Sequence, residues 1–418
     1  MAIDQTELGR RIRQARESCG MTQDEVAEKL GVSRPIIVQI EQGKRPVSGL
    51  ELHTLAYLFA RDMRDLLADE FAEDDVVHAL FRSHEDAGEE GVKQALRDCI
   101  ALGHELTNLE DLLGISRATV TVATYSYAFP RSRWEAIQIG EYVAVEERRR
   151  LGLGSAPLGD VSSLLEAQGV RTGTVSMPDS VSGLNISHPN VGPFVVINEG
   201  HSRERRRFSW CHEYAHVLLD KDAIGMVSRV TERDDLREMR ANSFAANFLL
   251  PEQGVRQFVA ALGKGSASRI HADIFDESGV VAIDSRTDPA TQEIQLYDAL
   301  QLAHSYGVSV PSTLYRLRNL KLLSEPEFEK LRAMDDEGRS RKIAVAFGVE
   351  TDRSFEQRGE FQRRFLALGL EALRREKISQ TKFMQLAERV GVNQWTAQDL
   401  LVNAGIDDSE PQSVLLPE

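Results

Sequence analysis

Residues 212–216 read His-Glu-Tyr-Ala-His. Two histidines four apart share one face of a helix, roughly 6 Å apart along its axis. That spacing lets both imidazoles hold one metal ion. Glu213 sits beside the first ligand and projects toward the open coordination position. A carboxylate there can take a proton from water, the role of the glutamate in H-E-x-x-H motifs. A catalytic zinc (Zn2+) site also needs a third protein ligand. Glu238, on the next helical segment, is the preferred candidate. Ala241, Asn242 and Ala245 share its face, and the small alanines allow that helix to approach closely. Asp220 is a rival ligand, or else a group that orients a ligand imidazole from behind. Glu232, Asp234 and Asp235 are weaker rivals. The plain alternative is an amphipathic helix that carries two histidines, with Glu238 a solvated charge.

The segment around the pair must be a buried helix, because Phe208, Trp210, Val217, Leu218 and Leu219 flank it. Cys211 points about 100° away from His212 on such a helix and reads as packing; Tyr214 reads as packing too. His201 and the Arg203–Arg207 cluster are candidate oxyanion donors, although a solvated helix start is the preferred reading of the arginines. Upstream, a helix runs from Trp134, and "DVSSLLEAQG" forms a second. Three β-like runs follow, "VRTGTVSM", "SGLNIS" and "GPFVVIN", separated by turn residues. A helix over about Asp234 to Leu250 ends at Pro251. From about Thr291 the chain reads as helical, with a polar tail from Asp407. Residues 68–133 are acidic at first, then weakly helical, and read as a connector.

The N-terminus carries a second pattern. Thr22 and Glu25 form a capping box, Gly31 ends that helix, and Ser33 caps the next. Val26, Leu30, Val32, Ile37 and Ile40 make an inward face. A tight turn at Gly31 sets two helices at the angle of DNA-binding helix-turn-helix units, whose second helix enters the major groove. Arg34, Pro35 and Gln39 then face outward. Arginine pairs bidentately with guanine and glutamine with adenine. Gln23 stands at a helix N-terminus, where it can reach phosphate; Ser33, Lys44 and Arg45 complete the candidate DNA-binding set. The same grammar of helix end, glycine, apolar residue and cap recurs at residues 112–117, 303–310 and 387–394.

The bulk numbers set the frame. The 418 residues carry a net charge of −15, which opposes nonspecific nucleic-acid binding by the chain as a whole. Acid excess lies outside the first 50 residues, where eight Lys/Arg face seven Asp/Glu. The absence of a long apolar run argues against a membrane span, and the N-terminus has no secretion signal. Three scattered cysteines fit a reduced compartment. The expected location is therefore cytoplasmic, on the nucleoid.

Residues 7 to 67 resemble the Cro/cI-type (XRE) helix-turn-helix family through Thr22-Gln23, Ala27, Gly31-Val32-Ser33, Ile40-Glu41 and Gly43. The family's base-reading positions fall on Arg34, Pro35 and Gln39; proline there is unusual and removes a donor. Residues 134 to 255 resemble the ImmA/IrrE family of zinc metallopeptidases through "INEGHSRERRRFSWCHEYAHVLL" and "EMRANSFAANFLLP". That resemblance implies His212, His216 and Glu238 as ligands and Glu213 as general base. Tyr214-Ala215 stands where the family more often has Leu-Gly.

The fold expected is mostly α: an all-α reader over 1–67, a helical connector over 68–133, a small α+β zincin-like domain over 134–290, and a helical accessory region over 291–418. The function expected is a DNA-binding regulator with a zinc endopeptidase that cleaves itself or a partner repressor in stress, phage or mobile-element control. Its partners are then an operator in double-stranded DNA, a regulator protein as substrate, and a second copy as homodimer, with no membrane. The alternatives are a non-catalytic, antitoxin-like DNA binder whose metal is structural or sensory, and a housekeeping peptidase with a protein-binding N-terminal module.

Overall fold

A computed structural model of the chain describes residues 3–59, 61, 63–68, 90–115, 122–188, 192–220, 225–229, 235–265, 269–276, 279–286, 292–348 and 360–406. Expectations for residues 232 and 234, and for the tail from Asp407, lie outside the described residues.

The chain opens with helices α1 (Gln5–Ser18), α2 (Gln23–Leu30), α3 (Arg34–Glu41), α4 (Gly49–Leu58) and α5 (Met63–Leu67). Local chemistry sets their limits. The Thr22 hydroxyl accepts from the Glu25 amide while the Glu25 carboxylate accepts from the Thr22 amide at 2.6 Å, and Ser48 with Glu51 repeats the device on α4. Gly31 ends α2 in the left-handed region (φ 69°), which lets the Val32 amide return to the Ala27 carbonyl at 2.9 Å. Ile12, Val26, Ile37, Ile40, Leu52, Leu55 and Phe59 pack inward. A buried ion pair, Arg16 to Glu41 at 2.6 Å, fastens α1 to α3.

Helix α6 (Glu90–Leu113) follows, then α7 (Arg133–Arg150) and α8 (Val161–Ala167). A four-stranded sheet holds β1 (Arg171–Val175), β2 (Val181–His188), β3 (Gly192–Asn198) and β4 (Gly225–Arg229) in the order β1-β3-β2-β4. Only β1 and β3 run parallel; β2 is antiparallel to both its neighbours. Helix α9 (Arg203–Leu219) lies between β3 and β4. Helices α10 (Leu236–Leu249) and α11 (Glu252–Ala261) come next, then the antiparallel hairpin β5 (Arg269–Asp276) and β6 (Gly279–Arg286). The three expected strands are present; β4 and the hairpin were not foreseen.

The sheet divides two cores. Side chains alternate along β3: Phe194 and Val196 join the core built by α1–α6, while Val195 and Ile197 join the core built by α7–α11. The C-terminal helices also divide. Helices α12 (Leu296–Tyr306), α13 (Val310–Asn319), α14 (Glu325–Asp336) and α15 (Arg339–Ala346) extend the second core. Helices α16 (Glu360–Arg374), α17 (Gln380–Arg389) and α18 (Gln394–Asn403) return to the first. Buried charges hold that return. Glu110 of α6 accepts from Arg364 of α16 at 2.7 Å and pairs with Arg171 of β1. The recurring glycine turns also form: the amides of Ile115, Val308 and Val392 bond back to Glu110, Ala303 and Ala387 at 2.9, 3.0 and 2.9 Å.

Helix α7 lies closest to α10 at Gly140. A Cβ there would stand 2.3 Å from the Arg240 carbonyl oxygen and 2.9 Å from the Phe244 amide nitrogen. These are backbone atoms, so they cannot yield as a side-chain tip would. Gly140→Val is expected to lower stability by about 1–3 kcal/mol, the usual cost of overpacking. A lowered thermal midpoint relative to wild type checks it, and an unchanged midpoint contradicts the close approach.

Candidate metal centre and nucleic-acid interface

Helix α9 begins at Ser202, whose hydroxyl accepts from the Arg205 amide. Its interior is buried over nearly every turn, including Trp210, Cys211, Tyr214, Ala215 and Leu218. Cys211 belongs to the core as expected, and burial pushes its thiol up to about 12. Tyr214 is buried as well and donates to Glu147 of α7, which also accepts from Tyr125 at 2.9 Å and pairs with Arg150. The fixed Glu147 anchors α9 against α7.

On the opposite flank of α9 the expected ligands converge. His212 Nε2 and His216 Nε2 lie 3.2 Å apart. Glu238 of α10 places Oε2 3.0 Å from His212 Nε2 and Oε1 3.3 Å from His216 Nε2. Four-coordinate zinc with bonds of about 2.0–2.1 Å separates its ligand atoms by roughly 3.3 Å. The two ring nitrogens and the two carboxylate oxygens are spaced close to that distance, and one ligand atom from each residue lies within 4.8 Å of the other two. The second ring nitrogens fix the tautomers. His212 Nδ1 sits 3.0 Å from Asn242 Oδ1, and His216 Nδ1 sits 2.9 Å from Asp220 Oδ2. Both partners are acceptors, so each Nδ1 carries a proton and each Nε2 is the ring atom turned toward Glu238, where a metal ion would displace any proton it holds. Two ring nitrogens and a carboxylate facing one point can hold a cation. Burial would lower the pKa of His216, but Asp220, Glu238 and Glu213 outweigh it and hold it up at about 10. This is the electrostatic signature of a cation site. The donor set fits zinc.

Asp220 thus stands behind His216, the second of its two expected roles, and Arg240 binds its other oxygen at 2.5 Å. Sequence spacing gave no hint of Arg240. Glu213 is fully buried, and its charge acts on His216. It abuts β2 at Gly183, where a Cβ would stand 2.8 Å from Glu213 Oε1. Only a residue without a side chain leaves the carboxylate that space. His201 is buried, with Nε2 3.4 Å from the Asn198 amide. Asn198 in turn donates to the Met177 and Val181 carbonyls at 3.0 and 3.1 Å. Arg207 departs from the expected solvated helix start. It is buried and donates to the carbonyls of Gly159 and Leu158 at 2.6 and 2.9 Å.

The N-terminal residues expected to meet DNA fall on one surface. Arg34, Pro35, Gln39 and Lys44, with Val38 and Gln42, line one open groove along α3. Ser33 is the N-cap of α3 and makes no side-chain capping bond. Arg34 is exposed and 3.5 Å from Asp24. Two members of the set are engaged elsewhere: Gln23 donates to Glu41 at 2.8 Å, and Arg45 pairs with Glu51 at 2.9 Å.

The geometry makes two graded predictions for metal content. His216→Ala is expected to take bound zinc from one per chain to near none. Asp220→Asn leaves the ligands but withdraws the charge behind His216, and should weaken zinc roughly 10–100-fold. Metal analysis after dialysis, with chelator competition for affinity, measures both. Full zinc retention in His216→Ala would refute the ligand set.

Comparison with known proteins separates the two halves. A helix-turn-helix domain model matches residues 7–69. An IrrE N-terminal-like domain model, of the peptidase M78 family, matches residues 165–318. An uncharacterized HTH-type transcriptional regulator of Archaeoglobus fulgidus is 45% identical over 65 residues, 16% of this chain and 87% of that protein. Among the described residues no helix is long and apolar enough to cross a membrane. The chain belongs to the HTH-type transcriptional regulators and joins to its DNA-binding reader an IrrE N-terminal-like domain of the peptidase family.

Proposed function

We propose that the protein is an operator-binding regulator whose second half is a zinc-dependent endopeptidase, cytoplasmic and acting as a homodimer. The convergence of His212, His216 and Glu238 with Glu213 beside them carries the peptidase reading. Zinc, which these three ligands would hold, would supply a Lewis acid for a peptide carbonyl and for water. Glu213 would hold the proton in transit from the attacking water to the leaving amine. Asp220 and Asn242 keep both imidazoles in the ligating tautomer. The substrate proposed is a regulator protein, either this chain or a partner repressor.

In this reading residues 1–67 are the reader, 68–133 the connector, 134–290 the peptidase unit and 291–418 the accessory region. Arg34 and Gln39 read bases from the start of α3, with Pro35 packing beside them and Ser33 and Lys44 at phosphates. Gln23 and Arg45 contribute to DNA only by leaving Glu41 and Glu51. Dimerisation pairs two readers on two half-sites.

A second reading, a non-catalytic binder that uses the metal for structure or sensing, draws on one observation. The ligands and Glu213 are all buried, so a substrate must open the centre before it can bind. The substitution Glu213→Gln separates the two. It is expected to keep zinc and lose cleavage of the target by about 10²–10⁴-fold. Mass spectrometry of the zinc-loaded protein incubated with candidate repressors reads the cuts. Unaltered regulation in cells carrying Glu213→Gln favours the sensor.

The reader has its own test. Arg34→Ala and Gln39→Ala should each cost about 1–3 kcal/mol of operator discrimination. Binding to operator and scrambled DNA at fixed salt measures this, and an unchanged ratio in the double variant removes α3 from base reading.

A further inference from the structure

A cavity of about 310 Å³ lies away from the metal centre, where three separate stretches of chain meet. Its walls come from α4 and the turn after it, from the middle of α6, and from α17 with the residue range just before it. Apolar groups make most of the surface, among them Ala56, Leu109 and Leu386, all buried. Two of the cations that line the cavity, Lys382 and Arg389, share one carboxylate, Glu105. Lys382 and Arg389 converge on the same oxygen of that carboxylate, at 2.6 and 3.4 Å. Arg389 also lies over the Tyr57 ring, 4.8 Å from its centroid. The Tyr57 hydroxyl is turned to Asp98, to which it donates at 2.6 Å.

We propose that this cavity binds a small organic acid, an apolar body carrying one carboxylate. Its volume falls at the lower end of the range for small-molecule sites, about 300–1,000 Å³, and its make-up of apolar walls with a few converging polar groups is that of such sites. Glu105 serves two cations at once. A ligand carboxylate gives the second cation a partner of its own, as a charge-assisted hydrogen bond. The apolar body replaces water along Ala56, Leu109 and Leu386. Because α4 belongs to the reader, α6 to the connector and α17 to the C-terminal helices, an occupied cavity ties all three together. The site is independent of zinc and of peptide cleavage.

The test uses the full-length protein and four probes: octanoate and phenylacetate, with octanamide and phenylacetamide as neutral counterparts. Titration calorimetry should show one site per chain for at least one of the acids, about tenfold or more tighter than its amide. The variant Glu105→Gln/Lys382→Gln/Arg389→Gln keeps the lining hydrogen-bonded but removes its paired charges, and should bring acid and amide to within a few-fold of each other. Ala101→Phe, on the α6 wall, should abolish binding of both. If that variant does not fold by circular dichroism, Leu112→Trp at the exposed rim serves in its place. Equal binding of acid and amide by wild type, retention of binding in the filled variant, or failure of both acids to bind at about 10 mM overturns the proposal.

Discussion

The second half of the molecule is arranged around His212, His216 and Glu238, whose nitrogen and oxygen atoms face one another at 3.0–3.3 Å. His212 and His216 could each satisfy themselves with solvent if α9 were exposed. Instead both rings are buried, their outer nitrogens are committed to Asn242 and Asp220, and their inner nitrogens face Glu238. Such an arrangement costs free energy until positive charge enters it. Much of the surrounding packing prevents it from relaxing: α7 against α10 at Gly140, Tyr214 on Glu147, and Arg240 on Asp220. Metal affinity and the packing of α7, α9 and α10 are therefore one property, since binding energy at such a site is also folding energy.

The sheet gives this centre a back wall and gives the reader-side helices a floor. Because strand side chains alternate, β3 can serve both cores with one run of apolar residues. Strand β2 does so with different chemistry on each face. Leu184 and Ile186 face the reader-side core, while Gly183 faces Glu213. Val181 also joins the reader-side core although it has the parity of Gly183; the register irregularity between Val181 and Gly183 turns it over. A bulge placed beside a functional side chain is a common way to re-aim one residue without disturbing the next.

What could be read in advance follows from range. His212, His216 and Asp220 lie four apart on one helix face, so a periodicity argument reaches them. The capping box at Thr22 and the glycine that ends its helix are local signals of the same kind. The third ligand needed one further step, the small face of α10 at Ala241 and Ala245. The elements that were missed lack such signals. Arg207 is surrounded by other arginines and reads as solvated, yet its partners are carbonyls of Leu158 and Gly159, on a distant turn. The return of α16–α18 to the first core depends on Glu110 and Glu105, far away in the chain. No local pattern encodes a pairing of that range. Gly183 is legible only once Glu213 is seen against it.

The two-faced strand also limits how the halves can influence each other. A one-residue slip of β2 would exchange its faces and bury Gly183 and Asn185 among the reader-side apolar groups. Both cores resist that, so the strand moves as a body or not at all. A shift of α6 or α16 pushes on the sheet through Phe194, Val196 and Phe361, which share the first core. The same sheet holds Gly183 within van der Waals reach of Glu213. Displacements on the reader side are thus felt at the base as a change in the room left for one carboxylate. His212, His216 and Glu238 stand on α9 and α10, which the sheet supports but does not supply, so the room left at Glu213 can change while those three side chains keep their mutual spacing.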